Sequence, residues 1–234
     1  MKRIVISLGG SVLVPSLGSH HISRYADIIG EISQHHRLCV VVGGGGEARR
    51  YIETARTLGI SEAQADEIGI MVTRLNAALL AGALGEQAYP RIPSSYEEAK
   101  EHMQSGRILV AGGMVPGQTT DAVAAILAEY MRADLILNAT SVDGIYSADP
   151  RVDPDAKKYS YLTPQALLGI ISGVQLRAGS NTVFDILAAK VVERSGIPLA
   201  VIDGRRPENI RAAIMRGEFE GTIVSSKEEK PFPL

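Results

Sequence analysis

The chain has 234 residues, of which 45% are hydrophobic and 21% are charged, and its formal net charge is −2. This composition is typical of one large globular domain or two small lobes with a sizeable core. The near-neutral charge and the absence of Trp argue against binding to nucleic acid or to an anionic membrane. No apolar run is expected to span a membrane and no leader opens the chain, so we expect a cytoplasmic protein. The single cysteine, Cys39, lies in an apolar run and is predicted to be a core residue.

The first part of the chain predicts two buried strands that each end in glycines. Residues 2–8 predict a strand that ends at Gly9-Gly10, and residues 38–42 predict a strand that ends in four glycines at 43–46. Apolar residues at helical spacing predict a helix over 22–34 between these strands, and a second helix over 47–58 follows them.

The rest of the chain continues to alternate helices with strands. Helices are predicted over 66–84, 96–104, 121–131, from 164, 182–195 and 207–216, and strands over 87–89, 107–111, 135–138, 198–202 and 221–225. Ser95 and Glu98 match a capping box, and residues 140–155 form a long polar loop. We therefore predict an α/β fold: a three-layer sandwich with a mostly parallel central sheet and helices on both faces.

The glycine run at 43–46 is the strongest indication of a ligand site. Glycines after a buried strand let the backbone turn sharply and approach a ligand closely. If Glu47 opens a helix, the amides at its start form a seat for phosphate, and Arg49 and Arg50 add positive charge. The pattern therefore predicts a site for a phosphorylated small molecule.

Two other interpretations of this run stay open. It is compatible with a tight turn that has no ligand. Gly43, Gly45 and Ala48 also fit the dinucleotide pattern G-x-G-x-x-A, although Asp66 then lies in a helical pattern and not at a strand end. The P-loop pattern is absent, because no lysine of this chain follows a glycine.

Two further loops carry ligand-type residues. Residues 112–121, GGMVPGQTTD, offer two threonine hydroxyls and place Asp121 at a helix start, where Thr119 and Asp121 also suit capping. In the loop after residue 138, Tyr146 suits either a base or a hydrophobic gap. Because ligands of parallel α/β folds bind at the carboxyl ends of the strands, we expect Gly9-Gly10 and these three loops along one edge.

Four motifs in the same order resemble the amino acid kinase family, and within it the archaeal type of UMP kinase. They are SLGGS, VVGGGGEAR, GGMVPGQTTDAVAA and NATSVDGIYSADP, and the resemblance runs from about residue 4 to 225. The narrower assignment depends on Arg49, on the TTD triplet, and on Asp66, Gly69, Thr73 and Asn76. Isoprenoid-phosphate kinases of this family place a histidine after the glycine loop, and none follows Gly46 here.

The resemblance implies transfer of the ATP γ-phosphate to UMP, giving UDP for pyrimidine nucleotide synthesis, with Mg²⁺ accompanying ATP. It implies a single domain, 1–234, with UMP bound mainly by a lobe of about 1–135 and ATP mainly by a lobe of about 136–234. It also implies a homohexamer built from dimers and inhibition by UTP.

The resemblance also assigns residues. The ATP residues would be Gly9, Gly10, Gly45, Arg49, Thr140, Tyr146 and Asp149. The UMP residues would be Gly44, Asp66, Met114, Val115, Pro116, Gly117, Gln118, Thr119 and Thr120. Arg49, Asp121 and Asp185 would be catalytic, with the two aspartates near Mg²⁺ or the catalytic cations, while the metal ligands themselves stay unassigned.

One departure from the family pattern concerns charge. Many members carry a lysine in the first strand, about where Ser7 stands here. Arg49 or Lys190 would have to replace that cation. Alternative functions are phosphorylation of a carboxylate, carbamate or other phosphate by the same fold, a nucleotide-binding regulator without turnover, and a dinucleotide-dependent dehydrogenase.

Overall fold

A computed structural model describes residues 1–16, 21–148, 150, 152–175, 184–227 and 232, with only the backbone at 173–175. The strands are β1 (Arg3–Leu8), β2 (Arg37–Val42), β3 (Leu109–Ala111), β4 (Leu135–Thr140), β5 (Ile145–Tyr146), β6 (Lys158–Tyr159), β7 (Tyr161–Leu162), β8 (Leu199–Asp203) and β9 (Gly221–Val224). The helices are α1 (Gly10–Leu13), α2 (His21–Ser33), α3 (Gly45–Thr57), α4 (Glu62–Leu84), α5 (Tyr96–Met103), α6 (Thr120–Met131), α7 (Pro164–Gln175), α8 (Ile186–Ser195) and α9 (Pro207–Arg216).

Seven of the described strands form one sheet in the order β3-β2-β1-β4-β8-β9-β7. The first five are parallel to one another, β9 runs antiparallel to β8, and β7 pairs parallel with β9. The apolar side chains of β1, β2 and β4 are buried, as expected for parallel strands covered on both faces. The predicted mostly parallel α/β sheet is confirmed.

Helices cover both faces of the sheet. On one face, Ile4 and Ile6 of β1 pack in a core cluster with α2, α4 and α9. On the other face, Val5 packs in a cluster with α6, α7 and α8. Cys39 of β2 belongs to the second cluster, and burial raises the pKa of its thiol, so it is the core residue that the sequence predicts. The predicted three-layer sandwich is therefore confirmed.

Several predicted boundaries are wrong for local reasons. The segment predicted as a strand over 87–89 is a 3₁₀ turn at Gly85–Gln87 followed by a single bridge between Ala88 and Ile108. Helix α4 starts four residues before the predicted position, because the Ser61 hydroxyl caps it by accepting from the Gln64 amide. Helix α8 starts later than predicted, since Asp185 is its extended N-cap residue.

Two other local predictions need correction. The polar loop over 140–155 contains β5, which forms an antiparallel hairpin with β6. The capping box of α5 is half formed: Ser95 accepts from the Glu98 amide, but the Glu98 carboxylate accepts from the amide and hydroxyl of Ser94.

Among the described residues, the segment Glu62–Gln87 is long and apolar enough to cross a membrane by length and composition alone, contrary to the expectation from sequence. However, 44% of its most apolar window is buried inside the fold. Ala77 and Leu80 of this segment belong to the core cluster that includes β1, so we interpret α4 as a core helix.

The glycine turns that end β1 and β2 touch each other through their backbones. A Cβ on Gly10 would overlap the Gly43 carbonyl oxygen and the Gly45 nitrogen. Gly45 itself has a φ of +68°, which favours glycine. By contrast, a Cβ on Gly46 would meet nothing within 4 Å. The two turns can therefore lie against each other only without side chains at Gly10 and Gly45.

This contact predicts opposite effects of two alanine substitutions. Gly10→Ala should lower the free energy of unfolding by about 2 kcal/mol or more, because backbone atoms must move to admit the methyl group. Gly46→Ala, in the first turn of α3, should leave it unchanged or raise it by up to about 1 kcal/mol. Urea denaturation of both variants beside the parent protein measures the difference, and equal stabilities would contradict the packing described here.

Candidate active site

The predicted ligand loops lie along one edge of the sheet. Since β3, β2, β1 and β4 are parallel neighbours, the segments that follow them leave the sheet at the same end. These segments hold Gly9-Gly10, the glycines at 43–46 and residues 112–120, and Thr140 is the last residue of β4 at the same end. The predicted grouping of the four motifs is confirmed.

Helix α4 fixes two of these loops with buried polar side chains. The Asn76 amide donates to the carbonyl oxygens of Gly43 (3.0 Å) and Gly44 (3.3 Å). The Thr73 hydroxyl accepts from the Gly113 amide at 2.6 Å. The spacing of Thr73 and Asn76 puts both on one face of the helix, so a single rigid element sets the positions of both turns.

Other side chains of α4 hold the loop from the third strand at its edges. The Asp66 carboxylate accepts from the Gly117 amide at 2.7 Å. Arg74 donates to the carbonyl oxygens of Gly113 and Ser94, both at 3.0 Å. One oxygen of Asp66 is thus engaged in holding the loop, and the other accepts no hydrogen bond from the described residues.

A cleft of about 250 Å³ opens between α3, α4 and this loop. It brings together the predicted acceptor residues Gly44, Asp66, Gln118, Thr119 and Thr120 with the predicted phosphoryl-group residues Gly45 and Arg49. Thr73 and Gly113 also line it.

Four predicted acceptor residues do not line this cleft. Met114 is buried in the core cluster with α6, so its side chain faces the protein interior. Val115 and Pro116 are exposed. Gly117 has a φ of +79°, and its amide is bonded to Asp66. These residues shape the loop, while its last three residues reach the cleft.

The two arginines after the glycine run differ in their surroundings. Arg50 forms an ion pair with Glu47 at 2.8 Å. Arg49 is exposed, lines the cleft, and has no hydrogen bond or ion pair within the described part of the chain. Lys190 is exposed on α8 and does not line the cleft. Arg49 is therefore the cation that is available to an anionic ligand there.

The position of the missing lysine is occupied by a hydrogen-bonded group of three side chains. Asp121 accepts from the Ser7 hydroxyl at 2.7 Å and from the Asn138 amide at 3.4 Å. Burial raises the pKa of Asp121 to about 6, and the charge of Asp185 acts in the same direction. The two hydrogen bonds oppose this shift by stabilising the carboxylate. Sequence reasoning missed Asn138, although a lone amide in the apolar run LILNAT was a signal.

Asp185 and Thr119 join the starts of two helices. Asp185 caps α8 by accepting from the Leu187 amide at 2.9 Å, and it accepts from the Thr119 hydroxyl at 2.6 Å. Thr119 in turn caps α6 by accepting from the Ala122 amide at 3.2 Å. Thr119 therefore has the capping role that was considered from sequence, whereas Asp121, in the first turn of α6, accepts from Ser7 and Asn138 instead. The hydrogen bond from Thr119 to Asp185 ties the acceptor loop to α8.

Gly9, Gly10, Thr140 and Tyr146 are predicted ATP residues that do not line the cleft near Arg49. Gly9 donates to the Ala139 carbonyl at 3.0 Å, and Thr140 ends β4. Tyr146, in the hairpin, donates its hydroxyl to Asp143 at 2.9 Å. Tyr146 is half-buried and belongs to neither core cluster. Asp149 lies outside the described residues.

A second cleft, of about 280 Å³, opens beside this hairpin at the carboxyl end of β8. It is lined by Asp143, Asp203, Arg205, Asn209 and Glu220, among others. Lys158 bonds both Asp143 (2.9 Å) and Glu220 (2.7 Å), and it holds the pKa of Asp143 below its ordinary value. Apart from the loop that contains Asp143, this cleft was not predicted from sequence.

The donor groups suit a Mg²⁺ ion that arrives with a nucleotide. The described residues contain no group of three or more His, Cys, Asp or Glu side chains that could hold a metal. Mg²⁺ in kinases takes much of its coordination from substrate phosphates and needs only one or two carboxylates. The carboxylates of Asp121 and Asp185 fit that limited requirement.

A larger cleft, of about 360 Å³, lies at the opposite end of the sheet. It is lined by Arg3 and Arg37, which begin β1 and β2, and by Lys100, Arg107 and Tyr130. None of the four glycine-containing motifs reaches it. Because parallel α/β folds bind ligands at the carboxyl ends of their strands, we assign the active site to the smaller cleft near Arg49.

Comparison with known proteins shows the family to which this chain belongs. The model of the amino acid kinase family matches residues 2–203. The uridylate kinase of Methanoculleus marisnigri is 60% identical over 233 residues, covering 100% of both chains.

Solved structures give the same relationship. The crystal structure of uridylate kinase from Archaeoglobus fulgidus has a TM-score of 0.85 and 48% identity, covering 96% of this chain and 100% of that one. The UMP kinase from Ureaplasma parvum has a TM-score of 0.79 and 27% identity, covering 96% and 99%. The resemblance inferred from the four motifs is confirmed: this chain belongs to the amino acid kinase family, in the group that includes the uridylate kinases of archaea.

Proposed function

We propose that this protein is a uridylate kinase, which transfers the γ-phosphoryl group of ATP to UMP and forms UDP and ADP. The observation that carries the proposal is the cleft of about 250 Å³, where Arg49, Asp66 and the end of the acceptor loop meet. The full-length likeness to uridylate kinases supports the same reaction. Its product would enter pyrimidine nucleotide synthesis.

UMP would occupy this cleft. The free oxygen of Asp66 is suited to a ribose hydroxyl, because a carboxylate accepts hydrogen bonds strongly. The hydroxyl of Thr120 and the amides at the start of α6 are suited to the UMP phosphate. Residues 114–120 and Gly44 would line the nucleotide, and the lobe of about 1–135 would supply most of these contacts.

ATP would lie across Gly9, Gly10 and Gly45, with its adenosine toward Thr140, Tyr146 and Asp149 in the lobe of about 136–234. The first amides of α3 have no acceptor within the helix and are suited to phosphate oxygens. Mg²⁺ carried by ATP would neutralise phosphate charge, with Asp121 and Asp185 as the nearby carboxylates.

The reaction needs positioning and charge neutralisation more than a protein base. An oxygen of the UMP phosphate attacks the γ-phosphorus, and the bond from that phosphorus to the bridging oxygen of ADP breaks. Because the attacking oxygen is already ionised, no proton has to be removed first. Arg49 would supply positive charge to the moving phosphoryl group.

The proposed reaction is tested by ADP formation from Mg·ATP with UMP, CMP, AMP, acetylglutamate, aspartate and carbamate as acceptors. We expect strong preference for UMP, and inhibition when UTP is added to the UMP reaction. Turnover of another acceptor but not UMP would overturn the acceptor assignment. Binding of ATP and UMP without product would indicate a regulator, and binding of NADH would indicate a dehydrogenase.

Arg49→Ala should lower kcat roughly 100-fold or more, because it removes a cation that acts in the transition state. Arg50→Ala is the matched control, since Arg50 is already paired with Glu47, and exposed pairs of this kind contribute little. Steady-state kinetics with UMP and Mg·ATP give both values. Similar losses in the two variants would contradict the distinct role of Arg49.

We also propose that the protein is a cytoplasmic homohexamer built from dimers. Helix α4 exposes Met71 (59%), Leu75 (62%) and Leu79 (43%) at intervals of four residues, which places them on one face. Tyr51 and Leu58 of the neighbouring helix α3 are also exposed. An apolar stripe of this kind suits contact with a second copy of the chain.

Leu75→Glu should therefore shift the assembly toward smaller species, since it places a charge in the centre of the stripe. Val152→Glu is the control, because Val152 is an exposed apolar residue that is not part of α4. Sedimentation velocity of both variants measures their size. If Leu75→Glu and Val152→Glu sediment like the parent protein, this stripe is not the interface.

A further inference from the structure

Two buried polar side chains lie side by side in the apolar centre of the sheet. Ser7 of β1 and Asn138 of β4 are each 3% exposed. They are partners in the β1–β4 register. Burying a hydroxyl and an amide costs free energy unless both are hydrogen-bonded. Each of these two side chains therefore needs a hydrogen-bond partner.

Asp121 is the partner of both side chains, which donate to the same carboxylate oxygen. Oδ1 of Asp121 accepts from Ser7 Oγ at 2.7 Å and from Asn138 Nδ2 at 3.4 Å. Neither donor has another hydrogen bond with the described residues, and Oδ2 accepts none from them. One carboxylate oxygen is thus fixed to the sheet, while the other stays available.

The chain positions of these three residues connect the two halves of the site. Ser7 lies two residues before Gly9, and Asn138 lies two residues before Thr140, which are both proposed ATP residues. Asp121 directly follows Thr120, the last residue of the proposed acceptor loop. Two hydrogen bonds therefore join the strands that lead to the ATP loops with the helix that begins at the UMP loop.

We infer that Ser7 and Asn138 are positioning residues, which hold Asp121 in a fixed place between the two bound nucleotides. This inference rests on the proposed phosphoryl transfer. Within the described residues no lysine or arginine pairs with Asp121, so neutral hydrogen bonds set its orientation. Displacement of an aligned group by a fraction of an ångström lowers the rate of a reaction that depends on geometry.

Comparison of Ser7→Ala with Ser7→Thr tests the inference. Ser7→Ala should lower kcat roughly 10- to 100-fold, the range that one hydrogen bond to a charged group supplies. The KM values for UMP and ATP should stay within about twofold, because Ser7 acts through Asp121 and not on the substrates. Ser7→Thr keeps a hydroxyl and should restore most of kcat.

Asn138→Leu should lower kcat less than Ser7→Ala does, since its hydrogen bond to Asp121 is the longer of the two. Ser225→Ala is the control for loss of a buried hydroxyl, because Ser225 is buried directly after β9 and, among the described residues, its hydroxyl bonds only the Lys227 amide. Ser225→Ala should keep the parent kcat. Thermal denaturation of each variant separates loss of folding from loss of rate.

Asp121→Asn gives a second test, which measures whether the effect of Ser7→Ala on the rate depends on the Asp121 carboxylate. If Ser7 acts through Asp121, then Ser7→Ala should lower the residual rate of the Asp121→Asn enzyme much less than it lowers the rate of the parent. Three results would overturn the inference: a parent-like kcat for Ser7→Ala, equal losses for Ser7→Ala and Ser7→Thr, or the same fold-loss with and without Asp121→Asn. Should Asp121→Asn have no measurable rate, the comparison of Ser7→Ala with Ser7→Thr decides.

Acceptor assays on the parent protein distinguish failure of this inference from failure of the proposed function. If the parent turns over an acceptor other than UMP, the function assigned above fails. The Ser7 variants are then measured with that acceptor, and the same kcat pattern would still support positioning of Asp121. Both proposals fail together only if the parent protein transfers phosphate to none of the acceptors.

Discussion

The active site depends on the hydrogen bonds that α4 makes to two glycine-containing turns, one after β2 and one after β3. Glycine turns have few side-chain contacts of their own to hold them, so their conformation needs an outside support. Asn76 supplies it to the Gly43 and Gly44 carbonyls, and Thr73 supplies it to the Gly113 amide. The first amides of α3, which follow the Gly43 and Gly44 carbonyls, have no acceptor within the helix and would bind phosphate in the proposed ATP site.

At this edge of the sheet, some charged side chains have a partner of opposite charge and others do not. Glu47 neutralises Arg50, while Arg49 beside it has no carboxylate partner within the described residues. Asp121 is held by Ser7 and Asn138 in place of a cation, and burial raises its pKa to about 6. In the proposed reaction, both charges would therefore be available to the nucleotides.

Much of this arrangement was predictable because its signals are local. Contiguous β-branched residues identified β2, and the glycines that follow it located the cleft near Arg49. The hairpin β5–β6 was missed because two-residue strands have no periodicity, and the Thr222 hydroxyl, from a distant strand, holds it by accepting from the Ile145 amide. The hydrogen bonds of Asn76 and Asn138 were also not predicted, because each joins two residues that lie far apart in the chain.

Helix α4 connects the active site with the proposed assembly. Its buried face holds both glycine turns through Thr73 and Asn76, and its exposed face carries the apolar stripe that contains Leu75. Leu75 and Asn76 are neighbours in sequence, so their side chains leave the helix in different directions from one short segment of backbone. A contact that immobilises the stripe also immobilises the support of the glycine turns. The proposed subunit contact and the proposed acceptor site therefore share one rigid element, and through it assembly would act on the geometry of the proposed phosphoryl transfer.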